Sequence, residues 1–293
     1  MGSPPDSTGM IDETAKEIRE MQTHSSSTVA IKAAEALREL LDREYATVEE
    51  YVRALDRNSS ALRRAQPSHA SLHSTQREIV ARVEDGDPDT VEEAKELTEA
   101  AIEAIVDDVE TAKHEAAQHA VELLPDGATV LTHDYSSTVL EAIELAAQEG
   151  HHIEVYVTEA RPRFLGRKTA RTLASVDRVD ATLIVDSAAG HYLDECDRVV
   201  LGMDCIVEDT LYNRVGTFPI AATAAELAVP VSVFGASAKL IDSGFAFEND
   251  FRSPSEVMRE PAEGFRIENP AYDATPVHLL ENVVTDDGIH KPD

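Results

Sequence analysis

The sequence predicts an α/β protein with a helical N-terminal domain over residues 1–125 and a doubly wound, parallel-sheet domain over residues 126–293. Three observations predict it. Apolar residues recur at helical spacing through the first part of the chain. Beyond Gly127, short β-rich runs alternate with helical stretches, the pattern of βαβ units. Between the two lies the turn Pro125-Asp126-Gly127.

In order, Ile11, Ile18, Met21, Val29, Ala33, Ala36, Leu37, Leu40 and Leu41 mark the first helices, and Val48 to Leu62 continues in short helical pieces. A long helix is expected from Val91 to Leu123, started by Asp87 as N-cap with Pro88 in the first turn. The first strand is Thr129 to Thr132, followed by a helix from Ser136 to Gln148 that Gly150 closes. Ile153 to Val157 alternates as a strand, Gly166 to Val176 is helical, and Ala181 to Val185 reads as a buried strand. Arg198 to Gly202 is a further strand, Gly216 to Ala228 an Ala-rich helix, and Pro230 to Phe234 a fifth strand. No internal repeat interrupts this order.

Composition narrows the function. The chain has 293 residues with 56 Asp+Glu against 26 Lys+Arg, a formal charge of −30, and 42% hydrophobic residues, enough for a packed core. Such a surface repels phosphate backbones, so direct nucleic-acid binding is not expected. Only 7 of the 26 cations are Lys. Dense carboxylates spread along the chain with scarce Lys fit a halophilic, archaeal cytoplasm, where salt screens self-repulsion. Nothing reaches the roughly 18 apolar residues of a membrane span. Residues 1–10 lack a basic segment followed by an apolar run, and Asp6 spoils a myristoylation motif at Gly2. Two cysteines, Cys196 and Cys205, make no disulfide framework, so a cytoplasmic protein is expected.

In open α/β sheets ligands sit beyond the carboxyl ends of the strands. Those ends carry Thr132-His133-Asp134-Tyr135-Ser136-Ser137, Glu159-Ala160-Arg161-Pro162-Arg163, Asp186-Ser187-Ala188-Ala189-Gly190-His191, Gly202-Met203-Asp204 and Gly235-Ala236-Ser237. Arg161 and Arg163 stand just past a strand and before a helix, a setting for an anion; Lys168 and Arg171 read as solvated helix face. Asn213-Arg214-Val215-Gly216-Thr217 offers an Arg, a hydroxyl and helix N-terminal amides to a second anion. There is no Walker A lysine motif and no G-x-G-x-x-G, so no nucleotide cofactor is expected. Asp85 to Asp89 with Glu96 imitates a calcium loop, but Thr90 replaces its glycine; with His114 and His119 five residues apart, no metal is expected.

Glu159-Ala160-Arg161-Pro162-Arg163, Val185-Asp186-Ser187-Ala188-Ala189, Gly202-Met203-Asp204, Asn213-Arg214-Val215-Gly216-Thr217 and Asn269-Pro270-Ala271-Tyr272-Asp273-Ala274-Thr275-Pro276 together resemble one family. It unites the regulatory alpha, beta and delta subunits of translation initiation factor 2B with isomerases of methylthioribose 1-phosphate and ribose 1,5-bisphosphate. The resemblance also covers Pro67 to Leu72. It implies a helical domain before a Rossmann-like domain, a sugar-phosphate pocket between them, and a dimer or higher homo-oligomer. The isomerases carry Cys in a Thr-His-Cys context where this chain has Thr132-His133-Asp134, and an Arg-Gly pair where it has Thr23-His24-Ser25-Ser26-Ser27-Thr28. Their essential Asp is matched by Asp204, and their Asn-Lys pair by Asn213-Arg214. His133-Asp134-Tyr135-Ser136 is closer to the alpha subunit.

Two functions follow. The first is a non-catalytic regulatory subunit that binds a phosphorylated sugar or nucleotide and acts through a protein partner in translation or nucleotide metabolism. The alternative is an aldose–ketose isomerase of the ribose 1,5-bisphosphate type. The site residues are the same: Asp204 and Asp134 as a carboxyl pair for catalysis, and Arg161, Arg163, Ser136, Ser137, Asn213, Arg214 and His133 for the ligand.

Overall fold

A computed structural model describes residues 9–20, 25–241, 247–260 and 263–292. Met21, Thr23, His24 and the leader readings at Gly2 and Asp6 lie outside the described residues. The chain divides into two compact units, Met1–Thr111 and Ala112–Asp293. The division falls inside a long helix, whereas residue 126 marks where helix gives way to sheet.

The first unit is built from helices α1 (Met10–Arg19), α2 (Ser26–Ala36), α3 (Val48–Ala65), α4 (Ala70–Asp85) and most of α5 (Val91–Val121). Their apolar faces meet in one core that includes Ile18, Leu37, Leu55, Leu72, Ile79 and Ile102. The Tyr51 hydroxyl donates to Thr98 Oγ1 at 2.8 Å, which satisfies a polar group inside that core. Thr47 and Thr90 cap α3 and α5 by accepting from the amides of Glu50 and Glu93. Thr90 thus replaces Asp87 as the expected cap, and Val48 to Ala65 is one helix of 18 residues rather than short pieces. Its two-sided pattern is continuous, and no Gly or Pro interrupts it.

The second unit contains β1 (Thr129–His133), α6 (Ser137–Gln148), β2 (Ile153–Thr158), α7 (Gly166–Leu173), β3 (Val179–Ile184), α8 (Ala189–Tyr192), β4 (Arg198–Gly202), β5 (Cys205–Val207), β6 (Thr210–Arg214), α9 (Thr217–Glu226), β7 (Val231–Phe234), β8 (Leu240–Ile241), β9 (Tyr272–Pro276), β10 (Asn282–Thr285) and β11 (Gly288–His290). The main sheet runs β11-β10-β7-β4-β1-β2-β3, parallel except for β11. Val130, Leu131, Val199, Val200 and Leu201 in its centre are fully buried, as expected for strands covered on both faces. The end of α5, α6 and α7 pack on one face and α8 and α9 on the other. The sheet is therefore doubly wound, and the order of strands reverses between β1 and β4.

β3, expected to be buried, is the edge strand, and Leu183 and Val185 are about half exposed. A second sheet, β8-β5-β6-β9, had no counterpart in the sequence reading. Its strands are two to five residues long, too short to carry a periodicity. No helix among the described residues is long and apolar enough to cross a membrane.

Candidate active site

The crevice of a doubly wound sheet opens where the strand order reverses. Asp134 follows the last residue of β1 and Asp204 stands two residues beyond β4, so the two strands flanking that point each deliver one carboxyl. β5 and β6 form a hairpin that returns Arg214 to the same place. Arg214 Nε lies 3.5 Å from Asp204 Oδ2 and 3.8 Å from Asp134 Oδ2. All three side chains are nearly buried.

These charges are unequal. Burial raises the Asp134 carboxyl above the usual Asp range, against the pull of Arg214, His133 and Arg163. Its Oδ1 is buried without a hydrogen-bond partner among the described residues. The 3.8 Å contact is too long for a hydrogen bond. Burial thus favours the neutral form of Asp134. Burial also opposes the charge on Arg214, but Tyr272, Asp204 and Asp134 outweigh it and hold the guanidinium more firmly protonated than usual. The Tyr272 ring lies 4.8 Å from that guanidinium, across the β6–β9 pairing of Arg214 with Tyr272.

Asp134 has φ of 63°, a left-handed conformation that Asp tolerates better than most residues. Its carbonyl accepts from Thr169 Oγ1 at 2.7 Å. α7 can place Thr169 there because Gly166 presses on the end of β2, where a Cβ would come 1.7 Å from the Thr158 carbonyl oxygen.

Asp134 and Arg214 line a recess with Arg161, Arg163, Arg252 and Asn269. Its free volume is about 20 Å³, little more than a water molecule needs. Burial, with Arg252 and Arg214 close by, lowers Arg163 to about 10. This crowding of guanidinium groups is relieved when an anion arrives. Arg252 donates through Nε to Glu256 at 2.9 Å, and Asn269 Nδ2 holds Glu256 at 3.2 Å and the Ser253 carbonyl at 3.1 Å. Arg161 is exposed, with Nη2 on the Val257 carbonyl at 3.1 Å. Asp186 fixes its turn by accepting from the amides of Ala160 and Arg161, both at 2.7 Å.

Other expected ligand residues serve as supports. His133 Nε2 donates to the Val215 carbonyl at 2.8 Å, while Nδ1 meets Thr158 Oγ1 at 2.6 Å. Both ring nitrogens are thus engaged, and His133 does not line the recess. Gly216 makes room for it: its φ is 111°, and a Cβ there would come 2.6 Å from the His133 ring. Ser136 caps α6 by accepting from Val139, and Ser137 stands in the first turn; neither lines the recess. Asn213 spends its amide on Thr217 Oγ1 at 3.0 Å. The N-terminus of α9, expected to take an anion, is occupied by Asp273, whose Oδ2 accepts from Gly216 and Phe218. His191 is exposed against Tyr192, away from the recess.

Sequence reasoning missed Arg252, which is sequence-distant from the other site residues and lies in an irregular segment. The raised share of Arg over Lys gave no means of selecting one Arg among 19.

The sequence profile of the Initiation factor 2 subunit family matches residues 22–292, and the chain belongs to that family. The ribose 1,5-bisphosphate isomerase of Haloterrigena turkmenica is 33% identical over 99% of this chain and 92% of its own length. That of Methanocaldococcus jannaschii is 31% identical over 97% and 92%. The solved structure of the Pyrococcus horikoshii OT3 translation initiation factor eIF-2B superposes with a TM-score of 0.83 at 26% identity, covering 96% of this chain and 97% of that one.

Proposed function

We propose that this member of the Initiation factor 2 subunit family is a sugar-phosphate aldose–ketose isomerase acting on a pentose 1-phosphate of the ribose 1,5-bisphosphate type. The observation that carries it is the Asp134–Arg214–Asp204 constellation beside a recess lined by four Arg, in a chain of charge −30. The isomerase relatives support catalysis over the purely regulatory role favoured by the sequence. The chemistry balances on the two carboxyls. Neutral Asp134 gives its proton to the ring oxygen as the bond from that oxygen to C1 breaks. The Asp204 carboxylate removes the proton from C2, leaving an enol with the C1 phosphate ester intact. Asp204 returns that proton to C1, and Asp134 regains one from the C2 hydroxyl as the ketone forms. Arg214 offsets the charge that Asp134 carries in between.

A second reading, a sugar-phosphate sensor without turnover, is favoured by Asp134 at the position of the isomerases' Cys. Its protein partner in translation and its homo-oligomer are parts of that reading. An NMR assay with ribose 1,5-bisphosphate in molar KCl separates the two. Turnover of about 1 per second or faster, lost by at least about a hundredfold in Asp134→Asn and Asp204→Asn, supports the isomerase. Binding without turnover supports the sensor.

A further inference from the structure

Lysine is almost never fully buried without a partner, because its compact charge is expensive to desolvate. Lys239 is 5% exposed. It closes the short 3-10 turn Ser237–Lys239 after β7, which Asp286 pins by accepting from the Ser237 amide at 2.6 Å and its hydroxyl at 2.7 Å. The ammonium donates to the Met203 carbonyl at 2.9 Å, the peptide immediately before Asp204. The titratable groups that act on it are Asp204 and Cys205 after β4 and Arg214 on β6. Burial pushes the Cys205 thiol up to about 12, so it is neutral; Arg214 is a cation. Asp204 is the acidic side chain in this set.

We propose that Lys239 is a positioning residue for Asp204: it anchors the Met203 peptide and stands, alongside Arg214, as a second basic group near the carboxyl that moves the substrate proton. The kinetic consequence rests on the isomerase reading; the electrostatic coupling does not. Burial lowers the proton affinity of Lys239 and the Asp204 charge opposes that fall. Coupling is reciprocal, so the lysine reports on the carboxylate. A neutral donor could anchor Met203 equally well, but it would not couple to a charge.

The chain has seven Lys, so labelling lysine Cε with ¹³C in the full chain gives seven signals to titrate in molar KCl. Lys239→Arg assigns the signal. Lys239 is expected to titrate below the other six and to move down by at least about 1 further unit in the isosteric Asp204→Asn. If no lysine signal moves in Asp204→Asn, or Lys239 titrates with the other six, the proposal is overturned. In the assay, Lys239→Met should lower kcat at least about tenfold with KM within about twofold, and Lys239→Arg should restore part of it. Absence of wild-type turnover would reject the isomerase reading, while the lysine titration would still decide the coupling.

Discussion

Replacing Arg214 by Met, a side chain of similar length, should leave Asp204 buried without its nearest cation. At 3.5 Å and an effective dielectric constant of about 20, the Arg214–Asp204 attraction is worth roughly 5 kcal/mol before desolvation. Removing the guanidinium returns its own burial cost, and buried pairs broken on one side lose about 3–5 kcal/mol net. Asp134 adds little because burial already favours its neutral form. The sign with pH follows from linkage. A carboxyl raised above its unfolded value binds a proton in the folded chain that the unfolded chain has shed. Its contribution is fully present below the unfolded value and is lost as pH rises through the folded one. Without Arg214 that loss deepens and extends upward, so the penalty should be larger at about pH 8 than at about pH 5. Urea denaturation in molar KCl, read by hydrogen exchange of β1, β4 and β6 peptides, measures the second unit alone. A loss below about 1 kcal/mol, equal at both pH values, would refute the assignment of Arg214 as counter-ion of a buried carboxyl pair.

Arg163→Ala should weaken phosphate or sugar-phosphate binding by about 1.5–3 kcal/mol in calorimetry, and exposed Arg161→Ala by about 1 kcal/mol or less; the reverse order would move the grip to the mouth of the recess. Gly216→Ala places a methyl 2.6 Å from the His133 ring at a φ of 111°. It should cost about 2 kcal/mol or more by the same urea measurement, and a neutral effect would mean that the His133 ring yields easily. Dialysis to about 10 mM salt stretches the Debye length to about 30 Å and should loosen a chain of charge −30, seen by circular dichroism; an intact fold there would remove the halophilic reading.

The main sheet was legible because its strands are buried on both faces, and burial of that kind writes short apolar runs such as Val130-Leu131 and Val199-Val200-Leu201 into the sequence. The same rule misled at β3. Its end Leu183-Ile184, continued by Val185, resembles an inner strand, yet Leu183 and Val185 face outward at the edge. The two aspartates were legible from strand ends alone, since the doubly wound topology directs those ends to one crevice. What stayed hidden was contact between residues distant in sequence. Asp273 reaches the N-terminus of α9 from 55 residues away and removes it as an anion site. Arg252 and Lys239 approach the recess and Asp204 from segments with neither periodicity nor motif. His133 illustrates a further limit: its place at a strand end was legible, but the two hydrogen bonds that engage its ring were not.

The sequence raises one objection to a sugar-phosphate site here, that two carboxylates repel the ligand. The structure answers it through protonation and counter-charge. Burial favours the neutral form of Asp134, which lessens the negative charge the pair presents. Arg214 faces Asp204 directly, and Lys239 lies behind the same backbone segment. Arg163 and Arg252 then add positive charge beside the recess, with Glu256 offsetting Arg252. The local sign is opposite to that of the whole molecule, so this crevice attracts anions. On the proposed isomerase reading, the Asp that stands in place of the expected Cys would be the acid. A carboxyl in the place of a thiol supplies a proton donor rather than a nucleophile, and ring opening of a furanose 1-phosphate requires the donor.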